Sequence, residues 1–223
     1  MADITPIARI ETPFGEKFGV PRQSGIADCP GRIVFEMPYR DPEAVRGLEG
    51  FSHVWLIWQF DRALRPTWSP TVRPPRLGGN QRMGVFATRS PFRPNGLGLS
   101  AVELERVSLD EPDGPVLYVR GADMVSGTPI FDIKPYLAYA DSYPDASGGF
   151  TGGDAGARLT VDFPPELLAR FDSGERQGLL SALAADPRPR YQDDPERVYG
   201  MHYDGRNVRF TVRDGTVFVT EVE

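Results

Sequence analysis

Apolar side chains in this chain recur with a period of two far more often than with a helical period. LSAVELERVSL (99–109) alternates apolar and polar residues, as a strand with one solvated face does. SHVWLIWQF (52–60) is a nearly continuous apolar run with two tryptophans, and predicts a central strand covered on both faces. DITPIARIE (3–11), GRIVFE (31–36), MGVFATR (83–89) and VLYVRGAD (116–123) predict further strands, and SGTPIFDIKPYL (126–137) is turn-rich and then extended. Asp41-Pro42-Glu43 opens a short helix, with Asp at the N-cap and Pro at the first helical position, and Gly47 or Gly50 closes it. No long helical period occurs before residue 140. Many strands separated by Gly/Pro turns predict a mainly β fold, either a barrel or a sandwich.

The pattern then breaks. DASGGFTGGDAGA (145–157) has the composition of a flexible linker. Beyond it come a strand (158–163), a helix from Pro164-Pro165 to about Ala184, and closing strands in which Asp214-Gly215 between alternating residues signals a hairpin. The division is therefore a β domain over 1–143, a linker over 144–157 and a small α+β C-terminal domain over 158–223. A unit of that last size has a marginal core of its own, so it is expected to dock on the first domain or on a partner subunit.

Charge changes the picture more than composition does. The chain of 223 residues has net charge −6, which argues against nucleic-acid binding by bulk attraction. Yet residues 62–102 hold seven arginines (62, 65, 73, 76, 82, 89 and 93) and no acid, leaving 18 basic against 31 acidic residues elsewhere. A basic face on an acidic body can steer a phosphate backbone to one place. Within this segment, RPPRLGGNQRMGVFATRSPFRPNGLGLS (73–100) is punctuated by proline and glycine, and it predicts the wall of a site for an anionic or nucleotide-like ligand. The single cysteine, Cys29, allows no internal disulfide and fits a reducing compartment, cytoplasm being the expectation. Two histidines and one cysteine offer no conventional zinc set. No apolar run reaches membrane-spanning length, and MADITPIARIETPF lacks the pattern of a signal peptide.

Familiar catalytic motifs are absent. No GxxxxGK[ST], HExxH or GxSxG occurs, and Gly96-Leu-Gly98 is followed by a strand-like rather than a helical segment. His53 and His202 are better read as structural residues. Three loops share one design, with proline fixing the chain, glycine permitting close approach and polar side chains between: Val20–Gln23, Arg89–Asn95 and Asp123–Pro129.

PRQSG (21–25), GLEGFSHVWLIWQF (47–60), the arginine-rich stretch through Leu104, VSGTPIFDIKPYLAYADS (125–142) and the terminal DPRPRYQ (186–192) resemble the TsaA-like family over the whole chain. The resemblance implies a small β-barrel that binds S-adenosylmethionine, needs no metal, forms a homodimer, and methylates N6 of N6-threonylcarbamoyladenosine beside the anticodon of threonine tRNA. It places Pro21, Arg22, Gln23, Asp61, Arg62, Arg89, Leu99, Asp123, Met124, Val125, Ser126, Gly127 and Thr128 around the cofactor. Asp123 would meet ribose hydroxyls or the amino group, and the Met124–Gly127 backbone the adenine edge. On the tRNA side, Arg73, Arg76, Arg82 and Arg93 would grip the anticodon arm and Tyr136 would stack on the base. Asp132 is the candidate base, with Lys134 or Arg93 at the carbamoyl oxygen or threonyl carboxylate. Asp132 and Lys134 could equally form a plain ion pair. The C-terminal unit either contacts tRNA through Arg188, Arg190 and Tyr191 or merely braces the barrel. The competing reading is a non-catalytic module binding S-adenosylmethionine and RNA; a hydrolase lacks any nucleophile–base motif.

Overall fold

The computed structural model describes residues 4–152, 158–189 and 194–223. Its first half is built from β1 (Ala8–Glu11), β2 (Pro30–Phe35), β3 (His53–Gln59), β4 (Thr71–Val72), β5 (Met83–Gly84), β6 (Leu97–Ser108), β7 (Val116–Arg120) and β8 (Thr128–Pro135). Six of these close into an antiparallel barrel in the order β1-β2-β7-β6-β3-β8. Closure leaves no unpaired edge among the six, and it settles the choice between barrel and sandwich. Ile10, Ile33, Leu56, Leu117, Val119 and Ile130 fill the interior, all fully buried.

β3 departs from the expectation of burial on both faces. Val54, Leu56 and Trp58 point inward and are buried, whereas Trp55, Ile57 and Gln59 on the outer face are only half-covered. Trp55 keeps its polar edge satisfied by donating Nε1–H to Asp141 Oδ2 at 3.0 Å, from the short helix α1 (Ala138–Asp141). MGVFATR is not a single strand either. Among the described residues its one strand neighbour is the two-residue β4, so pairing ends at Gly84. The chain turns at Val85–Ala87, burying Val85 and leaving Phe86 in solvent. The helix expected after Asp41 is a 3-10 turn, Pro42–Val45, capped by the Asp41 side chain accepting from Glu43 N–H at 2.9 Å.

The remainder comprises β9 (Thr160–Asp162), α2 (Pro165–Leu168), α3 (Ser173–Ala184), β10 (Tyr199–Tyr203), β11 (Arg206–Arg213) and β12 (Thr216–Val222). The strands form a sheet in the order β10-β11-β12-β9. The single expected helix is two, separated at residues 169–172. Asp214 and Gly215 both take positive φ (49° and 72°), the conformation of a two-residue hairpin turn. Asp204-Gly205 repeats the device between β10 and β11 (φ 48° and 71°), a hairpin the sequence pattern had not singled out.

The second core is not made by this unit alone. Phe14, Ala27 and Cys29, from the loop joining β1 to β2, are buried among Phe171, Leu179, Leu183, Met201 and Tyr203. The junction is also pinned by polar contacts. Ser181 Oγ accepts from Asp28 N–H at 2.9 Å, and Arg120 donates to both Asp28 oxygens at 2.8 and 2.7 Å. A loop anchored in one core and connecting strands of the other is held from both sides.

Candidate functional site

One end of the barrel opens into a cavity of about 2090 Å³. That exceeds the few hundred to a thousand Å³ usual for a single small ligand, leaving room for a small molecule and part of a larger one. Trp58 forms part of its floor, with the Phe60 ring 4.2 Å from it between centroids. Gly98, paired opposite Trp58, has no side chain for a physical reason: a Cβ there would sit 2.3 Å from the indole.

Three groups at this mouth form a chain that runs from the buried Trp58 and Ser100 to the partly buried Asp123. Trp58 Nε1–H donates to Ser100 Oγ at 3.0 Å, and Ser100 Oγ–H donates to Asp123 Oδ1 at 2.7 Å. Ser100 is 1% exposed. The indole occupies an acceptor lone pair of the hydroxyl, and the hydroxyl proton is committed to Asp123. Asp123 has its pKa pushed up to about 6, burial being the main cause. The Ser100 hydroxyl, the amides of Asp123 and Ser24, and the charge of Arg89 act in the opposite direction. A carboxylate so desolvated is suited to a cationic or multiply donating ligand.

The first loop, 12–29, places Pro21, Arg22 and Gln23 on the wall. Arg22 turns its guanidinium across the domain junction to the carbonyls of Asp186 and Arg188. Gln23 Oε1 accepts from Arg89 Nη1–H, so two predicted residues 66 positions apart meet directly. Arg188 is itself bound to the Asp186 carboxylate at 2.9 and 3.1 Å; Arg190 and Tyr191 lie outside the described residues.

The Asp123–Thr128 turn lies beside this loop, and Arg62 staples the two. Its Nη1 donates to Gly15 O and its Nη2 to Ser126 O, both at 2.8 Å. The turn's own backbone is largely engaged. Ser126 N–H bonds Phe14 O at 2.8 Å and Gly127 N–H bonds Ile10 O at 2.7 Å, while Thr12 Oγ1 donates to Met124 O at 2.9 Å. Asp123, Met124, Val125 and Thr128 line the cavity; Ser126 and Gly127 do not. Those last two serve as the turn's anchor rather than its ligand-facing part.

The far wall is an arm, residues 61–96, closed at its base by Phe60 N–H bonding Gly96 O at 2.8 Å and braced midway by β4–β5. It brings Asp61, Arg62, Arg65, Arg73, Arg76 and Arg82 to the cavity, followed by Arg89 and Arg93. Arg82 Nη1 donates to Thr71 Oγ1 at 3.1 Å and Arg93 Nη1 to Thr88 O at 3.1 Å.

Asp132, Lys134 and Tyr136 do not line the cavity. Asp132 and Lys134 form an exposed ion pair at 3.1 Å, and the Tyr136 ring lies 5.5 Å from that of Trp55. Register nevertheless puts them near the rim. Leu99, Ile57 and Asp132 are directly paired across β6, β3 and β8, and Ala101, Trp55 and Lys134 make the next row. Leu99, Ile57 and Trp55 line the cavity.

Comparison with known proteins decides the family. The model for the tRNA-methyltransferase O N-terminal domain matches residues 9–142, and that for the TrmO C-terminal domain matches residues 156–223. This chain belongs to the tRNA-methyltransferase O family. A relative from Escherichia coli, named tRNA (adenine(37)-N6)-methyltransferase, is 42% identical over 97% of this chain and 96% of its own length. A human relative of the same name is 41% identical over 61% of this chain and 30% of its own length. The crystal structure of TrmO from Pseudomonas aeruginosa superposes with TM-score 0.80 at 33% identity, covering all of this chain and 97% of that one.

Set in that family, the residues missed from sequence are Trp58, Ser100 and Phe60. A signal for one was present. Ser100 occupies an inward position of β6 otherwise held by Val102 and Leu104, and a polar residue in an apolar row needs a polar partner.

Proposed function

We propose that this chain transfers the methyl group of S-adenosylmethionine to N6 of adenosine 37 of tRNA, with N6-threonylcarbamoyladenosine in threonine tRNA as the substrate nucleoside. The observation that carries the reading is the largely buried Asp123 at the barrel mouth, opening into a cavity whose far wall sets seven arginines against one acid, Asp61. The names of the relatives support the reaction class and the position of the base.

Asp123 holds a cationic or hydroxyl-rich part of the cofactor, with the Gln23–Arg89 pair and Arg22 fixing its polar ends. Leu99, 57% exposed, packs on the adenine face, and hydrogen bonds to the adenine edge fall to residues 123–125. S-adenosylmethionine supplies an electrophilic methyl carbon. In an in-line displacement the N6–carbon bond forms as the sulfur–carbon bond breaks, the sulfonium becomes a thioether, and the N6 proton leaves. Positioning supplies most of the acceleration. From the row beyond Ile57, Asp132 accepts that proton and Lys134 or Arg93 meets the carbamoyl oxygen or threonyl carboxylate. Tyr136 stacks on the presented base. Arg73, Arg76 and Arg82 hold the anticodon arm.

The same reading makes the 1–143 barrel the cofactor domain and 158–223 its brace, joined by a 144–157 linker of which residues 153–157 lie outside the described residues. It is a reading of a cytoplasmic homodimer. Tyr139 and Tyr143, 88% and 75% exposed, offer apolar surface for a second copy to cover. Among the described residues no helix is long and apolar enough to cross a membrane.

Arginine substitution tests the division of labour. Arg73→Ala or Arg76→Ala is expected to weaken tRNA binding and lower its salt slope by about one, leaving titration of S-adenosylmethionine unchanged. Arg89→Ala is expected to do the reverse. Equal loss of both affinities in either variant contradicts the assignment.

A further inference from the structure

Two aromatic rings on the arm have no part in the mechanism above. Trp68 is 53% exposed and Phe86 is 73% exposed, although tryptophan is on average a heavily covered residue. Their centroids are 6.2 Å apart and their planes differ by 30°, and both line the cavity. They come from the same end of the antiparallel β4–β5 pair, where Thr71 stands opposite Gly84. Trp68 precedes β4 by three residues, and Phe86 lies in the 3-10 turn just after β5.

The arm fixes where these rings stand. Val85 N–H bonds Pro70 O at 2.9 Å, closing the two ends, and Val85 itself is buried as an anchor. Ser69 Oγ–H donates to Thr71 O at 2.9 Å, and Thr88 Oγ1–H donates to Val85 O at 2.8 Å. The neighbouring Phe92 is already occupied, with the Arg65 guanidinium 3.6 Å from its centroid. Trp68 and Phe86 are thus the arm's aromatic faces left open.

Their surroundings select the occupant. From Arg62 to Val102 there are seven arginines and no carboxylate. A protein partner's apolar patch gains nothing from such a field, whereas a strand of phosphates does. Open rings between guanidinium groups are the means by which proteins hold single-stranded nucleic acid, because every unpaired base has a face to stack. A paired stem offers no such face.

We propose that Trp68 and Phe86 form a stacking platform for an unpaired base flanking the target adenosine in the anticodon loop. This rests on the reading of the chain as a tRNA methyltransferase. The platform holds the neighbouring nucleotide while the target base is presented to the barrel mouth, so that its contribution is to RNA affinity and loop presentation and not to the methyl donor.

The test is a cycle between Trp68→Ala or Phe86→Ala and an anticodon stem-loop RNA carrying an abasic nucleotide on either side of the target. With intact RNA, each variant is expected to lose roughly five- to hundredfold in affinity, with Trp68→Phe restoring most of it. In the wild type an abasic neighbour costs a similar factor; in the alanine variants that penalty disappears. Titration of S-adenosylmethionine stays at the wild-type value throughout, which excludes a folding defect. Unchanged RNA affinity in both variants, an undiminished abasic penalty, or a monomeric Trp68→Ala variant of a dimeric wild type overturns the platform. A wild type that binds S-adenosylmethionine but methylates no tRNA overturns the reading beneath it as well.

Discussion

Asp123→Asn is expected to give a more stable protein that no longer binds S-adenosylmethionine usefully. The two effects have one cause. An aspartate in an unfolded chain titrates near 3.9, whereas burial raises that of Asp123 to about 6. Between those values the folded state binds the proton that the unfolded state has released, so stability falls as pH rises through the window and the loss is complete above about pH 6. The shift corresponds to roughly 3 kcal/mol at neutral pH. Asparagine keeps the acceptor for Ser100 Oγ–H and carries no charge to desolvate. Urea melts should therefore show the variant ahead by up to about 3 kcal/mol at pH 7 and level with the wild type below about pH 4. Affinity moves the other way, with a loss of about a hundredfold or more for a charge-assisted contact removed. In the wild type, affinity should decline about tenfold per pH unit below 6, as protons compete for the carboxylate. A variant without the stability gain would show that burial of this carboxylate costs the fold nothing.

Gly178→Val is expected to break the junction between the two cores. Gly178 lies inside α3, where glycine is about 1 kcal/mol worse than alanine on propensity alone. Its retention has a steric reason. A Cβ there would stand 2.6 Å from Tyr203 Oη, 2.8 Å from Pro30 Cδ and 3.1 Å from the Asp28 carbonyl. Tyr203 is fully buried, with its hydroxyl donating to Glu175 O at 3.0 Å, so it has no room to retreat. Valine should cost about 3 kcal/mol. Alanine, which would stabilise an ordinary exposed helix position, should destabilise here. The functional consequence follows from the loop shared by both cores. Once Phe14 and Cys29 lose their seats, Gln23 is no longer held against Arg89, nor Arg22 against the carbonyls of Asp186 and Arg188, and the Kd for S-adenosylmethionine should rise along with the loss of stability. Undisturbed melting of the valine variant would mean that α3 can shift to accommodate it.

These two residues also show what could be read in advance. Alternation in LSAVELERVSL was legible because one face of that strand meets the barrel core. The hairpin at Asp214-Gly215 was legible because positive φ requires those residue types. Closure could not be read from the strand pattern, which left barrel and sandwich open and needed the family resemblance to choose, since it depends on β8 pairing with both β1 and β3 across a register shift near Trp58. The arginine arm was visible as an acid-free run. Its partition was not: Arg62 faces the cavity yet spends both Nη groups on backbone carbonyls. Nor did spacing show that Cys29 belongs to the second core, because that depends on where the β1–β2 loop crosses.

The central claim is methyl transfer to tRNA at N6, and labelled-methyl incorporation measures it directly. Purified protein, S-adenosylmethionine with a labelled methyl group, and bulk tRNA prepared with and without the threonylcarbamoyl mark are sufficient. The expected result is label at N6 of adenosine 37 in marked threonine tRNA, and none in unmarked tRNA. Binding of S-adenosylmethionine without label in either tRNA would contradict the account and leave a non-catalytic cofactor-binding module in its place.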